Sequence, residues 1–371
     1  MRHTSIAAVI VLLCSAPALA GRLAKPKDYT PDKSWPVVVS TQDNPNEEMM
    51  GASPFFLVHA GGQGVECGTK IESELATLAK LFNIDPRRIY ATSFSRGGHE
   101  ILLQTAYHPH WFAAIAPVCN DLRQEPQLID VEIIRTPTML LHGTGDSFRQ
   151  TGLALFERMK KVGCPVQFES YAGGHDPKPV WNKTPKVWMQ FFAKHVLEPY
   201  PKTVEHRVTH KRYSRAYWID ATMTKDAADM NARFKVTVGE GNQIKVEANE
   251  QVAALDLYLT DKLIDPAKPV KVTMGDKTLF EGPAGEELTV KVNEGTAYEK
   301  KEKKPLWEEL TAIGKAAGYK YNPIDLAAAV EAFEVPAPKP KPATTTTSAA
   351  ATTTKAPAST PAIAPAKAPA P

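Results

Sequence analysis

Three short segments carry side chains whose types and order could do nucleophilic chemistry. Ser93-Phe94-Ser95-Arg96-Gly97 follows the run Arg88-Ile89-Tyr90-Ala91-Thr92. His142-Gly143-Thr144-Gly145-Asp146 comes next, and Gly173-Gly174-His175-Asp176 closes the series. A serine hydroxyl is a poor nucleophile at neutral pH; it needs a base to take its proton and a third group to orient that base. Ser95, Asp146 and His175 make such a set in the chain order nucleophile, acid, base, each just past a strand-like run. The chemistry expected of them is acyl transfer through a covalent serine intermediate.

A bare S-x-S-x-G occurs in many loops, often as an ordinary helix-capping serine. Here a strand signal precedes it and the helix-compatible His99-Glu100-Ile101-Leu102-Leu103 follows. The flanks Ser93 and Gly97 are small, as a sharp strand-to-helix turn requires. A lone histidine is more often structural than catalytic, and the chain has ten. His108 and His110 flank a proline in a loop, and His142 ends a strand inside the acid motif. Only His175 combines the chain order with a glycine loop that could carry an imidazole over a sheet edge. For the acid, Asp146 follows the run Thr138 to Gly143; Asp121, after Val118-Cys119-Asn120, is the alternative. Asp176 is too near His175 in the chain to reach round it.

The elements that must position these groups read as an α/β unit over residues 30–198. Pro36-Val37-Val38-Val39 and Phe55-Phe56-Leu57-Val58 are apolar runs without alternation, as in strands buried on both faces. Ile71, Leu75, Leu78 and Phe82 have helical spacing, and Asp85-Pro86 is expected to stop that helix ahead of the next strand. Further strands are expected at 113–118, 138–141 and 166–171, with helices around 153–159 and 185–195. Such alternation predicts a mostly parallel sheet covered by helices.

Residues 203–298 have a different grammar. Runs such as Phe234-Lys235-Val236-Thr237-Val238 and Leu288-Thr289-Val290-Lys291-Val292 place an apolar residue at every second position. That predicts antiparallel strands with one wet face, closed into a small β-sandwich. Residues 304–334 read as two short helices docked on one of the units, the second capped by Asn322 with Pro323 at its first position.

Both ends read as lying outside the fold. Arg2 and His3, the apolar run Ile6 to Leu13 and Ala18-Leu19-Ala20 predict a signal peptide over residues 1–20, cleaved near Ala20. The product would be secreted or periplasmic, with no transmembrane anchor in the mature chain. Residues 335–371 are almost wholly Pro, Ala, Thr and Lys and cannot bury a core. They are expected to be a disordered tail, a spacer or a contact for cell-surface polymer. Cys67, Cys119 and Cys164 remain after cleavage, allowing one disulfide at most. Net charge is only +3 with charges interspersed, which argues against a nucleic-acid partner. No cofactor and no metal are implied: no His/Cys cluster has ligand spacing, and Gly61-Gly62-Gln63-Gly64 lacks the Lys-Ser/Thr that ends a phosphate loop.

At Asp85-Pro86-Arg87-Arg88-Ile89-Tyr90 leading into Ser93 to Gly98, with the acid and histidine segments above, the chain resembles the α/β-hydrolase superfamily. More narrowly it resembles the secreted polyhydroxybutyrate depolymerase and feruloyl-esterase group and its prolyl-oligopeptidase-like relatives. The resemblance covers roughly residues 35–198. It implies an oxyanion hole made by the backbone N–H of Arg96 and a donor from an earlier loop, usually a His-Gly pair. By strand order that loop is Ser40-Thr41-Gln42-Asp43, which has no His-Gly, so Thr41 or Gln42 is the expected source and His59-Ala60 the alternative. The sheet is expected to lack the outer strands of larger members. Three functions compete: a carboxylic-ester hydrolase acting on a polymeric or surface-bound ester, a serine peptidase with the same triad, and a wall-associated binding protein that has lost activity.

Overall fold

The computed structural model describes residues 23–42, 45, 47–120, 134–209, 211–224, 231–283, 285–293 and 304–337. The expected leader at 1–20 and nearly all of the tail lie outside those residues. No helix among them is long and apolar enough to cross a membrane.

The N-terminal half forms β1 (Leu23–Ala24), β2 (Trp35–Ser40), α1 (Glu47–Ala52), β3 (Phe56–His59), α2 (Gly64–Leu81), β4 (Ile84–Phe94) and α3 (Arg96–Tyr107). It continues through β5 (Ala114–Val118), β6 (Thr138–Gly143), α4 (Arg149–Lys161), β7 (Val166–Tyr171) and α5 (Lys186–Ala193). The seven strands make one sheet in the order β1-β3-β2-β4-β5-β6-β7. Only the β1–β3 edge is antiparallel. Every residue of β2, β5 and β6 is buried, as their unbroken apolar runs predict. Alternation sorts their side chains: Val37 and Val39 pack toward α2, α3 and α4, whereas Val38 packs toward α1 and α5.

Two local expectations fail. Asp85-Pro86 does not precede β4 but lies within it. Between the pairs Trp35–Ile84 and Val37–Ile89 the register shifts, and Pro86 sits in that bulge, where no ladder N–H is needed. The helix expected from Ile71 begins already at Gly64, whose N–H is received by Glu100 Oε1 of α3 at 2.9 Å. The three cysteines 67, 119 and 164 are all free and buried.

Residues 203–291 supply β8 (Thr203–Val208), β9 (Arg215–Ala216), β10 (Ile219–Met223), β11 (Ala232–Val238), β12 (Gln243–Ala248), β13 (Val252–Tyr258), β14 (Val270–Met274), β15 (Lys277–Gly282) and β16 (Glu287–Lys291). They form a four-stranded sheet, β16-β13-β10-β9, and a five-stranded one, β15-β14-β12-β11-β8, around a shared apolar core. All pairs are antiparallel except β12–β14, which is parallel: the intervening β13 lies in the other sheet, and residues 259–269 return the chain to the five-stranded one.

The last two helices, α6 (Leu306–Ala316) and α7 (Leu326–Ala332), pack on opposite faces of the seven-stranded sheet. Leu306 and Leu310 enter the cluster containing α2, while Leu326 and Val330 enter the one containing α5. The expected cap at Asn322 is displaced: Asp325 caps α7, its carboxylate accepting the Ala328 N–H at 3.1 Å. Asn322 is used instead to anchor the crossing segment, its carbonyl accepting the Ser34 N–H at 2.7 Å.

Candidate active site

Ser95 lies between the last residue of β4 and the first of α3, with φ 52° and ψ −119°. A non-glycine residue there is strained, by ~1–3 kcal/mol, and persists only where its surroundings over-determine it. They do so here. The Ser95 N–H donates to Val118 O on β5 at 2.8 Å, and its carbonyl accepts the His99 N–H at 3.1 Å. At Gly97 a Cβ would overlap Ser93 Oγ and come within 2.9 Å of Gln42 Cβ; at Gly98 it would stand 3.1 Å from Ser93 O. Gly97 is therefore demanded by the close passage of β4, α3 and the turn after β2, and Gly98 packs tightly against Ser93 O and Asn120.

The three groups singled out from the sequence meet at the C-terminal ends of β4, β6 and β7. Ser95 Oγ is 2.9 Å from His175 Nε2, and His175 Nδ1 is 2.8 Å from Asp146 Oδ1. The Asp146 carboxylate is fully buried, and the His175 ring is 30% exposed, so one end of the relay is dry and the other opens to solvent. Phe94 and Phe148 flank the imidazole at centroid distances of 4.6 and 4.9 Å. Gly143 lets the His175 loop pass over β6, since a Cβ there would overlap Gly174 O.

Asp146 is held by more than His175. Its Oδ1 also accepts the Phe148 N–H at 3.0 Å, and its Oδ2 lies 2.8 Å from Nδ1 of His142. Burial pushes the carboxyl up, but bonds from Phe148 N–H, the Cys119 thiol, His175 and His142 outweigh it and hold Asp146 below its ordinary value. Burial also pushes His142 down, against the pull of Asp146, which leaves its ring neutral at pH 7. His142 and Asn120 were missed by sequence reasoning as members of this site. The available signal was spacing: a histidine four residues before the acid, on the strand that delivers it.

Cys119 Sγ, Asp146 and His175 offer atoms within 4.8 Å of one another, a spacing a metal ion could use. Burial, however, pushes the thiol up to about 12, and Sγ sits 3.0 Å from the Tyr171 hydroxyl. A protonated thiol and two groups already committed to the relay make a poor ligand set. The alternative acid Asp121 lies outside the described residues.

The turn after β2 rests against the elbow. Thr41 Oγ1 donates to Gly97 O at 3.1 Å and lies 3.2 Å from Ser93 Oγ, and the Gln42 N–H donates to Ser93 Oγ at 3.3 Å. Ser93 is thus more than a small flank; its hydroxyl ties that turn to β4. The alternative at His59-Ala60 lies at the end of β3, one strand farther out, and the Ala60 N–H is taken by Ser40 O at 2.8 Å. Arg96 opens α3 beside Ser95, and its guanidinium donates to Gln63 Oε1 at 2.7 Å.

No family model matches the chain. A protein of Nocardia uniformis subsp. tsuyamanensis named as a candidate esterase, NocK, is 33% identical over 88 residues, 23% of this chain and 24% of its own length. The chain thus matches about a quarter of that curated relative. Among solved structures, the apo form of Thermogutta terrifontis esterase 2 is 17% identical with a TM-score of 0.38, covering 46% of this chain and 88% of that one. The Pyrococcus horikoshii acylaminoacyl peptidase is 16% identical with a TM-score of 0.40, covering 47% of this chain and 39% of that one.

Proposed function

We propose that this chain is a serine hydrolase of the α/β-hydrolase type that cleaves carboxylic esters through an acyl-enzyme on Ser95. The observation that carries the reading is the relay from Ser95 Oγ through His175 to a buried Asp146, mounted on a strained strand-to-helix turn. The 88-residue likeness to NocK, itself named as a candidate esterase, points the same way. In this mechanism Ser95 Oγ attacks the ester carbonyl carbon as its proton passes to His175 Nε2. Asp146 keeps the His175 proton on Nδ1 and stabilises the imidazolium that forms. The Arg96 N–H and a backbone donor from the turn at Thr41 and Gln42 receive the oxyanion. The intermediate collapses when His175 returns the proton to the alkoxide, releasing the alcohol; water then repeats the sequence and frees the acid. With the leader expected at residues 1–20, the enzyme works outside the cytoplasm, on an ester that is polymeric or attached to a surface.

The test is labelling of the purified protein with a fluorophosphonate, with Ser95→Ala alongside and mass spectrometry of the adduct. The expected result is one adduct on Ser95, absent from the variant, with turnover of a small chromogenic ester. An unlabelled but folded protein would refute the hydrolase reading. Labelling with cleavage of peptides rather than esters would replace the esterase by a peptidase.

A further inference from the structure

Asp146 stands between two histidines, and only one of them reaches the nucleophile. His142 is fully buried on β6, its Nδ1 2.8 Å from Asp146 Oδ2 and its Nε2 3.0 Å from the side-chain amide of Asn120, which follows β5. The ring lies flat against Phe168 at 5.5 Å and 5°. Gly152 of α4 also approaches the ring, where a Cβ would overlap His142 Nε2 and stand 2.7 Å from Cε1. With both ring nitrogens engaged, the imidazole is held in this orientation. Asn120 lies close against Gly98 of α3, where an added Cβ would stand 3.2 Å from the Asn120 Cβ.

The protons can be followed atom by atom. A carboxylate oxygen only accepts, so the proton shared with Asp146 belongs to His142 Nδ1. A neutral ring then has a lone pair on Nε2 and needs a donor there. Asn120 Nδ2 has no partner when the amide carries its oxygen toward His142 and gains one when it turns its nitrogen there. The structure carries Asn120 Oδ1 at 3.0 Å from His142 Nε2; with that amide turned over, the chain runs from Asn120 N–H to His142 Nε2 and from His142 Nδ1–H to Asp146 Oδ2, and Oδ1 of Asp146 stays aimed at His175.

We propose that His142 is a positioning residue of the relay: it fixes the rotation of the Asp146 carboxylate and shares its charge with His175, and Asn120 selects the tautomer in which it can do so. The proposal rests on the Ser95 hydrolase reading. The charged and titratable groups around the pair are Asp146 after β6, Arg149 at the start of α4, Cys119 after β5, Tyr171 of β7 and His175. A substitution at His142 leaves all of these in the sequence. Without the Nδ1–H, more of the carboxylate's charge falls on His175, its imidazolium is favoured, and the acidic limb of the rate profile moves to higher pH.

The experiment compares His142→Leu, which keeps bulk without a donor, with His142→Asn, whose amide nitrogen can stand near the position of Nδ1. Active sites are first titrated with a fluorophosphonate, so kcat on a chromogenic ester refers to working protein. For His142→Leu the expected result is a kcat about tenfold lower, an unchanged KM, and an acidic limb displaced upward by about one pH unit. His142→Asn recovers most of both. Asn120→Ala, on the far side of the ring, gives the same displacement more weakly and keeps the proposal testable if His142→Leu does not fold. A loss of thermal stability alone, with kcat per titrated site and the acidic limb unchanged in both His142→Leu and Asn120→Ala, overturns it. If the unaltered protein takes no label at Ser95, the hydrolase reading has failed and this proposal falls with it.

Discussion

Replacing Gly97 by alanine probes how closely the elbow is built. The added Cβ would overlap Ser93 Oγ and stand 2.9 Å from Gln42 Cβ and 3.0 Å from Thr41 Oγ1. All three neighbours belong to the strand and turn around Ser95, so relieving the contact moves the site. Overpacking of this kind costs ~1–3 kcal/mol. In the first turn of α3, alanine would otherwise help by up to ~1 kcal/mol over glycine, so the net loss understates the clash. Misplacing a reacting atom by about 1 Å costs up to ~100-fold in rate. Gly97→Ala is therefore expected to lower the fluorophosphonate labelling rate by at least ~10-fold and to reduce the urea midpoint.

One of the three clashes can be removed separately. Ser93→Gly deletes the overlapping hydroxyl and leaves contacts of 2.9 and 3.0 Å, which the turn can accommodate by shifting a few tenths of an ångström. Alone, Ser93→Gly forfeits the bond from Gln42 N–H, 3.3 Å long, at a cost of ~0.5–1 kcal/mol. In combination, the double variant is expected to be more stable than the sum of the single losses by ~1 kcal/mol or more. Urea denaturation of the four proteins gives that coupling directly, and labelling rates give its counterpart at the site. Strict additivity, or a Gly97→Ala protein that labels as fast as the parent, would refute the argument that Ser93 makes glycine obligatory at 97.

Three further outcomes follow from the ionisable groups. Burial raises the Glu100 carboxyl against the bonds it accepts from Gln104 and Gly64, so the folded state holds its proton more tightly than the unfolded chain. Stability then falls as pH rises through the folded-state value, and Glu100→Gln, which keeps the acceptor oxygen, should raise Tm more at pH 7 than at pH 4; an equal gain at both would refute this. Asp146 has the opposite sign, held low despite its burial, so its contribution is present above the ordinary carboxylate value and is lost as pH falls through the depressed one. Asp146→Asn should flatten the acid side of the Tm-versus-pH curve and cut kcat on the order of 10⁴-fold; an unflattened curve or an active variant counts against the assignment. The buried Cys119 thiol, pushed up to about 12, should resist iodoacetamide on the native protein at pH 8, and rapid alkylation seen by mass spectrometry would show that its environment is misread.

What the sequence could disclose depended on how far each interaction reaches along the chain. The elbow is local: strand, small residue, serine and glycine are contiguous, and Ser95 at φ 52° is where that pattern requires it. The order of acid and base was legible because each follows its own strand, although nothing local says that β4, β6 and β7 bring their ends together. The capping of α2 was not legible, because Gly64 N–H is received by Glu100 from another helix. The parallel β12–β14 pair was hidden for a similar reason: alternation reports which face of a strand is buried and is silent on the direction of its neighbour. His142 is the instructive intermediate. Its position in the acid motif was visible, but the role proposed for it depends on Asn120 and Gly152, which come from separate elements and meet it only when the sheet and α4 close. A motif read along the chain finds the groups proposed to react. The groups that hold them come from neighbouring strands, and for this site they are where sequence reasoning ends and packing takes over.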